Sequence, residues 1–139
     1  MESYRTNLVK LIKDPRIVGW LESAGIIEYR PLAFMRGSTL DDCLMILDEA
    51  QNANFKQLML FVTRMGRDSK AIVCGDVSQY DIDKDQVALP DFINLMTGIA
   101  GVAVHKFGNG DVMRKEILIQ LIKRYEEWKD KNPNHQFLK

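Results

Sequence analysis

Two adjacent carboxylates, Asp48 and Glu49, directly follow the unbroken apolar run 43–47. Apolar residues without alternation are typical of a strand that is buried on both faces. At the end of such a strand, the aspartate can bind a magnesium ion, while the glutamate orients and deprotonates a water molecule that attacks a phosphate. The alternative is that both acids begin a helix, where the macrodipole favours negative charge. Taken alone, the pair does not decide between nucleotide hydrolysis and a helix start.

A second strand with a polar end lies downstream, where the short run Lys70–Cys74 leads into the sequence GDVSQ, residues 75–79. Between the two runs, Asn54 is a good helix N-cap, and apolar side chains follow it at intervals of three and four. Strand, helix and strand of this length form a βαβ unit, in which the strands are parallel and the crossover is right-handed. We therefore expect four polar side chains at the carboxyl edge of one sheet: Asp48, Glu49, Asp76 and Gln79. Their convergence favours the catalytic interpretation of the acids.

The remaining pattern predicts helices and short strands on both sides of this unit. Apolar spacing indicates a helix at Tyr4–Ile12 and a second helix that begins at Pro15. Further predicted elements are a strand at 26–29, one turn of helix from Ser38, a helix at 92–96, a strand at 102–107 and a helix from Val112 to about Lys129.

Arg36 stands beside Gly37 in a predicted turn before the Asp48 strand. An exposed arginine in such a loop can hold a phosphate group. The alternative is an ordinary solvated side chain, which the bare residues favour.

Length and composition indicate one globular domain. The chain has 139 residues, 46% of them hydrophobic and 27% charged, which is enough for a single core. We expect a helical lead-in at 1–24, a core at 25–130 and a loose tail at 131–139. The 19 basic and 19 acidic residues balance, so composition gives no support for nucleic-acid binding, although a local basic patch would suffice for it.

The two cysteines, Cys43 and Cys74, fall in the predicted buried strands and lack metal-ligand spacing. Free thiols fit a reducing compartment. No apolar run approaches the roughly 20 residues that span a bilayer, and the chain does not start with a signal-peptide pattern. These features predict a soluble cytoplasmic protein that does not interact with membranes.

Two motifs carry a resemblance to a known family. LDEAQ at 47–51 looks like the Walker B motif of superfamily 1 helicases, and GDVSQ at 75–79 resembles their motif III. The longer segment Gly25–Ile82, which includes PLAFMRG, closely resembles the PhoH family of P-loop ATPases. Gly98–Trp128 resembles the C-terminal portion of the same family.

The resemblance implies an α/β fold, a RecA-like P-loop NTPase three-layer sandwich with a mainly parallel sheet. It also implies ATP and Mg²⁺ as cofactors and a link to RNA or single-stranded nucleic acid. Asp48 would serve the metal and Glu49 would be the general base. Gln79, with Asp76, would sense the γ-phosphate. Arg114 would contact phosphate in its own subunit or across an interface. Lys115, where the family typically has histidine, and the loop after Ile82 depart from the family pattern.

The sequence contains no run of the form G-x-x-x-x-G-K-[ST], whose amides and lysine cradle phosphates. The resemblance is therefore to the C-terminal portion of a PhoH-like ATPase without its Walker A segment. In RecA-like sheets the P-loop strand lies between the strands predicted at 71–74 and 102–107. An incomplete sheet would rearrange, form a homo-oligomer or accept a strand from a partner.

Three hypotheses about function remain. The chain is the Walker B and sensor portion of an ATPase that needs a P-loop in cis or in trans, or it is a non-catalytic remnant or interaction module that keeps the fold. A weaker hypothesis is direct RNA binding through four arginines: Arg36, Arg64, Arg67 and Arg124.

Overall fold

The computed structural model describes residues 2–77, 87–108, 111, 116–132 and 135. The chain falls into two units, Met1–Val102 and Ala103–Lys139. The elements, in chain order, are α1 (Glu2–Ile12), α2 (Pro15–Ser23), a first 3-10 helix (Leu32–Met35), β1 (Leu44–Leu47), a second 3-10 helix (Ala50–Asn52), α3 (Phe55–Val62), β2 (Lys70–Val73), α4 (Leu89–Met96) and α5 (Glu116–Lys131).

Local signals place α1 and α2 where the sequence predicts them. Asp14 caps α2, because its carboxylate accepts a hydrogen bond from the Arg16 amide at 2.9 Å, and Pro15 occupies the first helical position. The two helices pack together, and the Arg5 guanidinium of α1 pairs with Glu22 of α2 at 3.2 Å. This pair ties α1 to α2.

The predicted βαβ unit is confirmed. β1 and β2 pair in parallel, with Leu44 opposite Lys70 and Leu47 opposite Val73. The crossover helix α3 begins with a capping box, in which Asn54 and Gln57 exchange backbone and side-chain hydrogen bonds. The α/β class with a parallel sheet is therefore confirmed, with two strands in the described part of the chain.

The core lies on one face of this sheet. One cluster joins the second 3-10 helix to α3 and α4 through Ala50, Leu58 and Phe92. A smaller cluster joins Met35 of the first 3-10 helix to Met45 of β1 and Phe61 of α3. Both clusters cover the same face, which faces α3.

The other face of the sheet is open, so the prediction that the β1 strand is buried on both faces is wrong for this chain. Met45 is 5% exposed, whereas its neighbours Leu44 and Ile46 are 56% and 60% exposed, and Ile72 of β2 is 45% exposed. We call Leu44, Ile46 and Ile72 the open sheet face. A run of apolar residues predicts that a strand can be buried, but each face of the sheet is buried only where another element packs against it. The two cysteines lie just outside the strands, Cys43 partly buried and Cys74 exposed.

Three smaller predicted elements differ in the structure. Instead of a strand at 26–29, the amides of Ile26 and Ile27 donate to the Leu21 carbonyl and close the end of α2. Ser38 starts no helix, because its hydroxyl donates back to the Met35 carbonyl at 2.7 Å. Residues 102–107 form no strand, since they have no strand partner among the described residues.

Two predicted helices are present with different bounds. α4 begins at Leu89 rather than Phe92. α5 is confirmed from Glu116 to Lys131, with Tyr125 stacked on Trp128, while its predicted start at 112–115 lies outside the described residues. Within the described part of the chain, none of the helices has the length and apolar character required to cross a bilayer.

Candidate functional site

The two strand ends meet at the carboxyl edge of the sheet. We call Asp48–Glu49 the β1 tip and Gly75–Asp76 the β2 tip. Two backbone hydrogen bonds continue the pairing beyond the strands, from the Cys74 amide to the Leu47 carbonyl at 2.8 Å and from the Ala50 amide to the Cys74 carbonyl at 2.9 Å. The parallel register therefore places the two tips side by side, as the sequence predicts.

Glu49 turns the chain sharply at the β1 tip. Its backbone is left-handed, with φ 54° and ψ 37°, a conformation that costs a residue with a side chain about 1–2 kcal/mol. The second 3-10 helix starts immediately afterwards, but the Glu49 side chain makes no capping hydrogen bond. The acids thus precede a short helix without acting as its side-chain cap, and the Glu49 carboxylate has a different partner.

That partner is Gln51, which joins the two tips. Its side-chain amide Nε2 donates to Glu49 Oε2 at 2.6 Å, and its Oε1 accepts from the Asp76 amide at 3.1 Å. Gln51 is only 4% exposed, so its end of both contacts is buried, while Glu49 and Asp76 lie at the surface. We call this pair of hydrogen bonds the Gln51 bridge. It fixes the Glu49 carboxylate relative to the backbone of the β2 tip.

Gly75 makes this close approach possible. A Cβ atom at position 75 would lie 2.7 Å from Leu89 Cδ2 and 2.9 Å from Gln51 Oε1. Any side chain would displace the Leu89 side chain of α4 or the Gln51 bridge. The glycine of GDVSQ is therefore required by packing at the β2 tip.

Asp48 is held from a different part of the chain. The Tyr4 hydroxyl of α1 donates to Asp48 Oδ2 at 2.9 Å. This hydrogen bond raises the pKa of Tyr4 above its usual value, and burial of the hydroxyl and the charges of Asp48 and Glu49 act in the same direction. Tyr4 therefore remains a protonated donor at neutral pH.

The other predicted site residues do not join this arrangement in the described structure. Gln79 and Arg114 lie outside the described residues. Arg36 follows the first 3-10 helix, and the nearby Ser38 carbonyl accepts from Arg64 at 3.2 Å, beyond the end of α3. The Leu40 amide of the following segment donates to the Arg64 carbonyl, so this segment lies at the end of α3 that leads into β2, away from the two tips. Phosphate binding by Arg36 stays a prediction.

Sequence reasoning missed three residues at the site: Tyr4, Gln51 and Gly75. A signal existed for Gln51, because it is the last residue of the LDEAQ motif at 47–51. Tyr4 carries no comparable signal, since it is 44 residues away from Asp48 along the chain.

The donor atoms at the tips fit a magnesium ion that is held together with phosphates. Among the described residues no group of three or more histidine, cysteine or acidic side chains could hold a metal ion alone. Magnesium usually needs only one or two carboxylates, with water and substrate phosphates completing its shell. Asp48 supplies such a carboxylate, whose Oδ2 is the atom engaged by Tyr4.

Comparison with known proteins identifies relatives of this chain. The family described as "PhoH-like protein" matches residues 3–126. The "PhoH-like protein" of Bacillus subtilis (strain 168) is 43% identical over 108 residues, which are 77% of this chain and 34% of that protein. The "PhoH-like protein" of Mycobacterium tuberculosis (strain ATCC 25618 / H37Rv) is 36% identical over 118 residues, 84% of this chain and 34% of that protein.

A further relative is "Protein PhoH" of Escherichia coli (strain K12), 33% identical over 102 residues that are 73% of this chain and 29% of that protein. The chain therefore spans about a third of the length of the relatives it matches. The family match, in contrast, covers nearly the whole sequence. On this evidence the chain belongs to the PhoH-like family.

Proposed function

We propose that this chain supplies the Walker B and sensor portion of a magnesium-dependent ATPase site. Asp48 would contact the metal, and Glu49 would orient and deprotonate the attacking water. The β2 tip, with Asp76 and the following Gln79, would respond to the γ-phosphate. A bound magnesium ion would neutralise charge that develops on the phosphate oxygens.

The Gln51 bridge is the observation that carries this proposal. A general base acts efficiently only when its carboxylate is held in a defined direction. Gln51 holds the Glu49 carboxylate at 2.6 Å from a buried position and accepts from the Asp76 amide of the other tip. If a phosphate displaced the β2 tip, the Gln51 side chain would therefore move the Glu49 carboxylate as well.

The proposed site needs a phosphate-binding loop from another segment or another chain, because the sequence has no G-x-x-x-x-G-K-[ST] run. The open sheet face supports such a partner. Its apolar side chains and the strand edges can accept a further element, and burying apolar surface there would stabilise the assembly. A second copy of this chain is an alternative partner.

The proposal also includes a link to RNA or single-stranded nucleic acid, which rests on the family resemblance. Of the four arginines suggested by the sequence, Arg64 is partly buried and donates to the Ser38 carbonyl and the Thr63 hydroxyl. These contacts favour a structural role for Arg64. RNA binding through the exposed arginines stays a prediction, and a salt-dependent titration would test it.

ATP turnover tests the proposal when the chain is supplied with a phosphate-binding loop from a PhoH-like protein, fused in cis or added in trans. We expect background turnover without the loop and turnover above background with it. In the assembled protein, Glu49→Gln should abolish turnover and retain nucleotide binding, because the amide keeps the shape of the side chain but cannot accept the proton.

The matched control is Glu28→Gln, which removes an exposed carboxylate whose ion-pair partner is Arg30. It should leave turnover unchanged. Background turnover in the loop-supplied protein would reject the ATPase proposal, and equal loss of binding and turnover in Glu49→Gln would reject the role of Glu49 as base.

The open sheet face also favours a second candidate function, a non-catalytic interaction module. Under this alternative, the loop-supplied protein would assemble without nucleotide turnover. Sedimentation velocity, combined with the turnover assay on the same sample, separates assembly from catalysis.

A further inference from the structure

The contact between Tyr4 and Asp48 joins α1 to the β1 tip across 44 residues of sequence. It involves a single carboxylate oxygen, Oδ2, at 2.9 Å from the hydroxyl. The neighbouring acid, Glu49, is held by Gln51 instead. The two adjacent carboxylates are therefore oriented by separate partners from separate elements.

A hydroxyl donor on one carboxylate oxygen has a defined consequence for metal binding. It restricts rotation of the carboxylate and leaves the second oxygen for a cation. Hydrogen-bond donors behind a metal-ligating carboxylate are common in metal sites, and their removal typically weakens binding. The geometry of Tyr4 matches this arrangement.

The position of Tyr4 is set by two packed helices and not by a loop. The next residue, Arg5, pairs with Glu22 of α2 at 3.2 Å, and α1 packs along α2. Val18 of α2 is fully buried, so α2 is itself anchored in the core. The Tyr4 hydroxyl therefore has a defined place above the carboxyl edge of the sheet.

We propose that Tyr4 is a positioning residue for the metal-binding carboxylate of Asp48, an inference that rests on the proposed function of Asp48. Through this contact, the helical lead-in takes part in the site. The hydroxyl holds Oδ2, and Oδ1 would be the oxygen that binds the cation. Removing the hydroxyl leaves the carboxylate free to rotate and weakens cation binding.

The test is a titration of the whole chain with Mn²⁺, used as a paramagnetic probe in place of magnesium. Broadening of the backbone amide signals of Asp48, Glu49 and Asp76 reports binding at the tips and not elsewhere on the surface. We expect Tyr4→Phe to bind Mn²⁺ about tenfold more weakly, the lower end of the usual effect, because Tyr4 is 42% exposed.

Two further variants make the result specific. Asp48→Asn should remove the Mn²⁺-dependent broadening at the tips. Tyr125→Phe is the matched control, because Tyr125 is an exposed tyrosine of α5 that stacks on Trp128. It should leave the Mn²⁺ affinity unchanged. Thermal melts of each variant show whether an affinity change arises from the site or from loss of folding.

Each outcome decides a different point. No Mn²⁺ binding at the tips of the unsubstituted chain would overturn this inference, whereas the ATPase proposal is decided separately by turnover of the loop-supplied protein. Binding that requires Asp48 but is equal in Tyr4→Phe would overturn the inference alone. Tighter binding in Tyr4→Phe would also overturn it, because the hydroxyl would then be competing with the cation.

Discussion

At the scale of single residues, Gln51 makes the geometry of Glu49 depend on the neighbouring strand. Its amide is a donor at one end and an acceptor at the other, and both ends are used. Gln51 itself is buried, so its own amide group would have no water to replace a lost partner. Gly75 belongs to the same arrangement, because its missing side chain leaves the space that Gln51 occupies.

Gln51→Leu should therefore destabilise the chain. Leucine has a similar volume but makes neither of the two hydrogen bonds that Gln51 makes to Glu49 and Asp76. We expect the free energy of unfolding to fall by about 1–3 kcal/mol, since a hydrogen bond to a charged group contributes about 1.5–3 kcal/mol. Urea denaturation followed by circular dichroism would measure this change.

The control for this substitution is Gln120→Leu, at an exposed position of α5. Its effect should stay within about 0.5 kcal/mol, as for most surface substitutions. Equal stability of Gln51→Leu and the unsubstituted chain would mean that the Gln51 bridge contributes no net stability.

The residue types at the site could be predicted from sequence, but most of their partners could not. Asp48 and Glu49 are recognisable because two acids follow an apolar run. The partner of Asp48 is a tyrosine 44 residues away, and no local pattern records that contact. The sequence also gives no indication of the left-handed backbone at Glu49, because the residue is not a glycine.

At the scale of elements, the start of α2 is controlled by the charge of one side chain. The Asp14 carboxylate accepts three hydrogen bonds from Arg16. Its Oδ1 accepts from the backbone amide at 2.9 Å and from Nε at 3.2 Å, and its Oδ2 accepts from Nη2 at 2.9 Å. The side-chain hydrogen bond of Arg16, together with that of its backbone amide, lowers the pKa of Asp14 below its usual value. The cap is therefore coupled to pH.

Asp14→Asn should lower the stability of the folded chain at neutral pH, and this difference from the unsubstituted chain should disappear in acid. Asparagine is also a good cap, so the substitution removes mainly the charge. Because the folded pKa is lowered, the stabilising contribution is fully present above the unfolded value and is lost as the pH falls through the folded pKa. Melting temperatures over an acid series should therefore converge for the two proteins.

Arg16→Gln supplies the control for this pH dependence. In the Asp14→Asn background it should cause little further loss, because the two side chains act as one pair. A difference in melting temperature that is the same at every pH would instead assign the effect to the shape of the cap.

Elements with local start signals could be predicted, whereas elements that need a neighbour could not. Asn54 with Gln57, and Asp14 with Pro15, encode helix starts within four residues, and both helices form as predicted. The apolar residues Ile26 and Ile27 look like a strand, but their amides go to Leu21 because Gly25 adopts a left-handed backbone, with φ 68°. A strand assignment depends on a pairing partner that sequence pattern does not supply.

At the scale of the whole molecule, the sheet has a covered face and an uncovered one. Packing of α3 and α4 buries Leu58 and Phe92 on the covered side. The open sheet face leaves three large apolar side chains exposed on a pair of short parallel strands. Parallel sheets are otherwise found with both faces covered, so this part of the fold is incomplete without a further covering element.

We therefore expect the chain alone to self-associate as its concentration rises, through the open sheet face. Ile46→Thr should weaken the association, because threonine keeps the β-branched shape suited to a strand and removes apolar surface.

Leu11→Thr is the matched control, since Leu11 is 78% exposed on α1 and lies outside that face. Sedimentation velocity over a range of concentrations would measure both effects. A monomer at every concentration would exclude self-association through this face. Equal weakening by both substitutions would place the contact elsewhere on the surface.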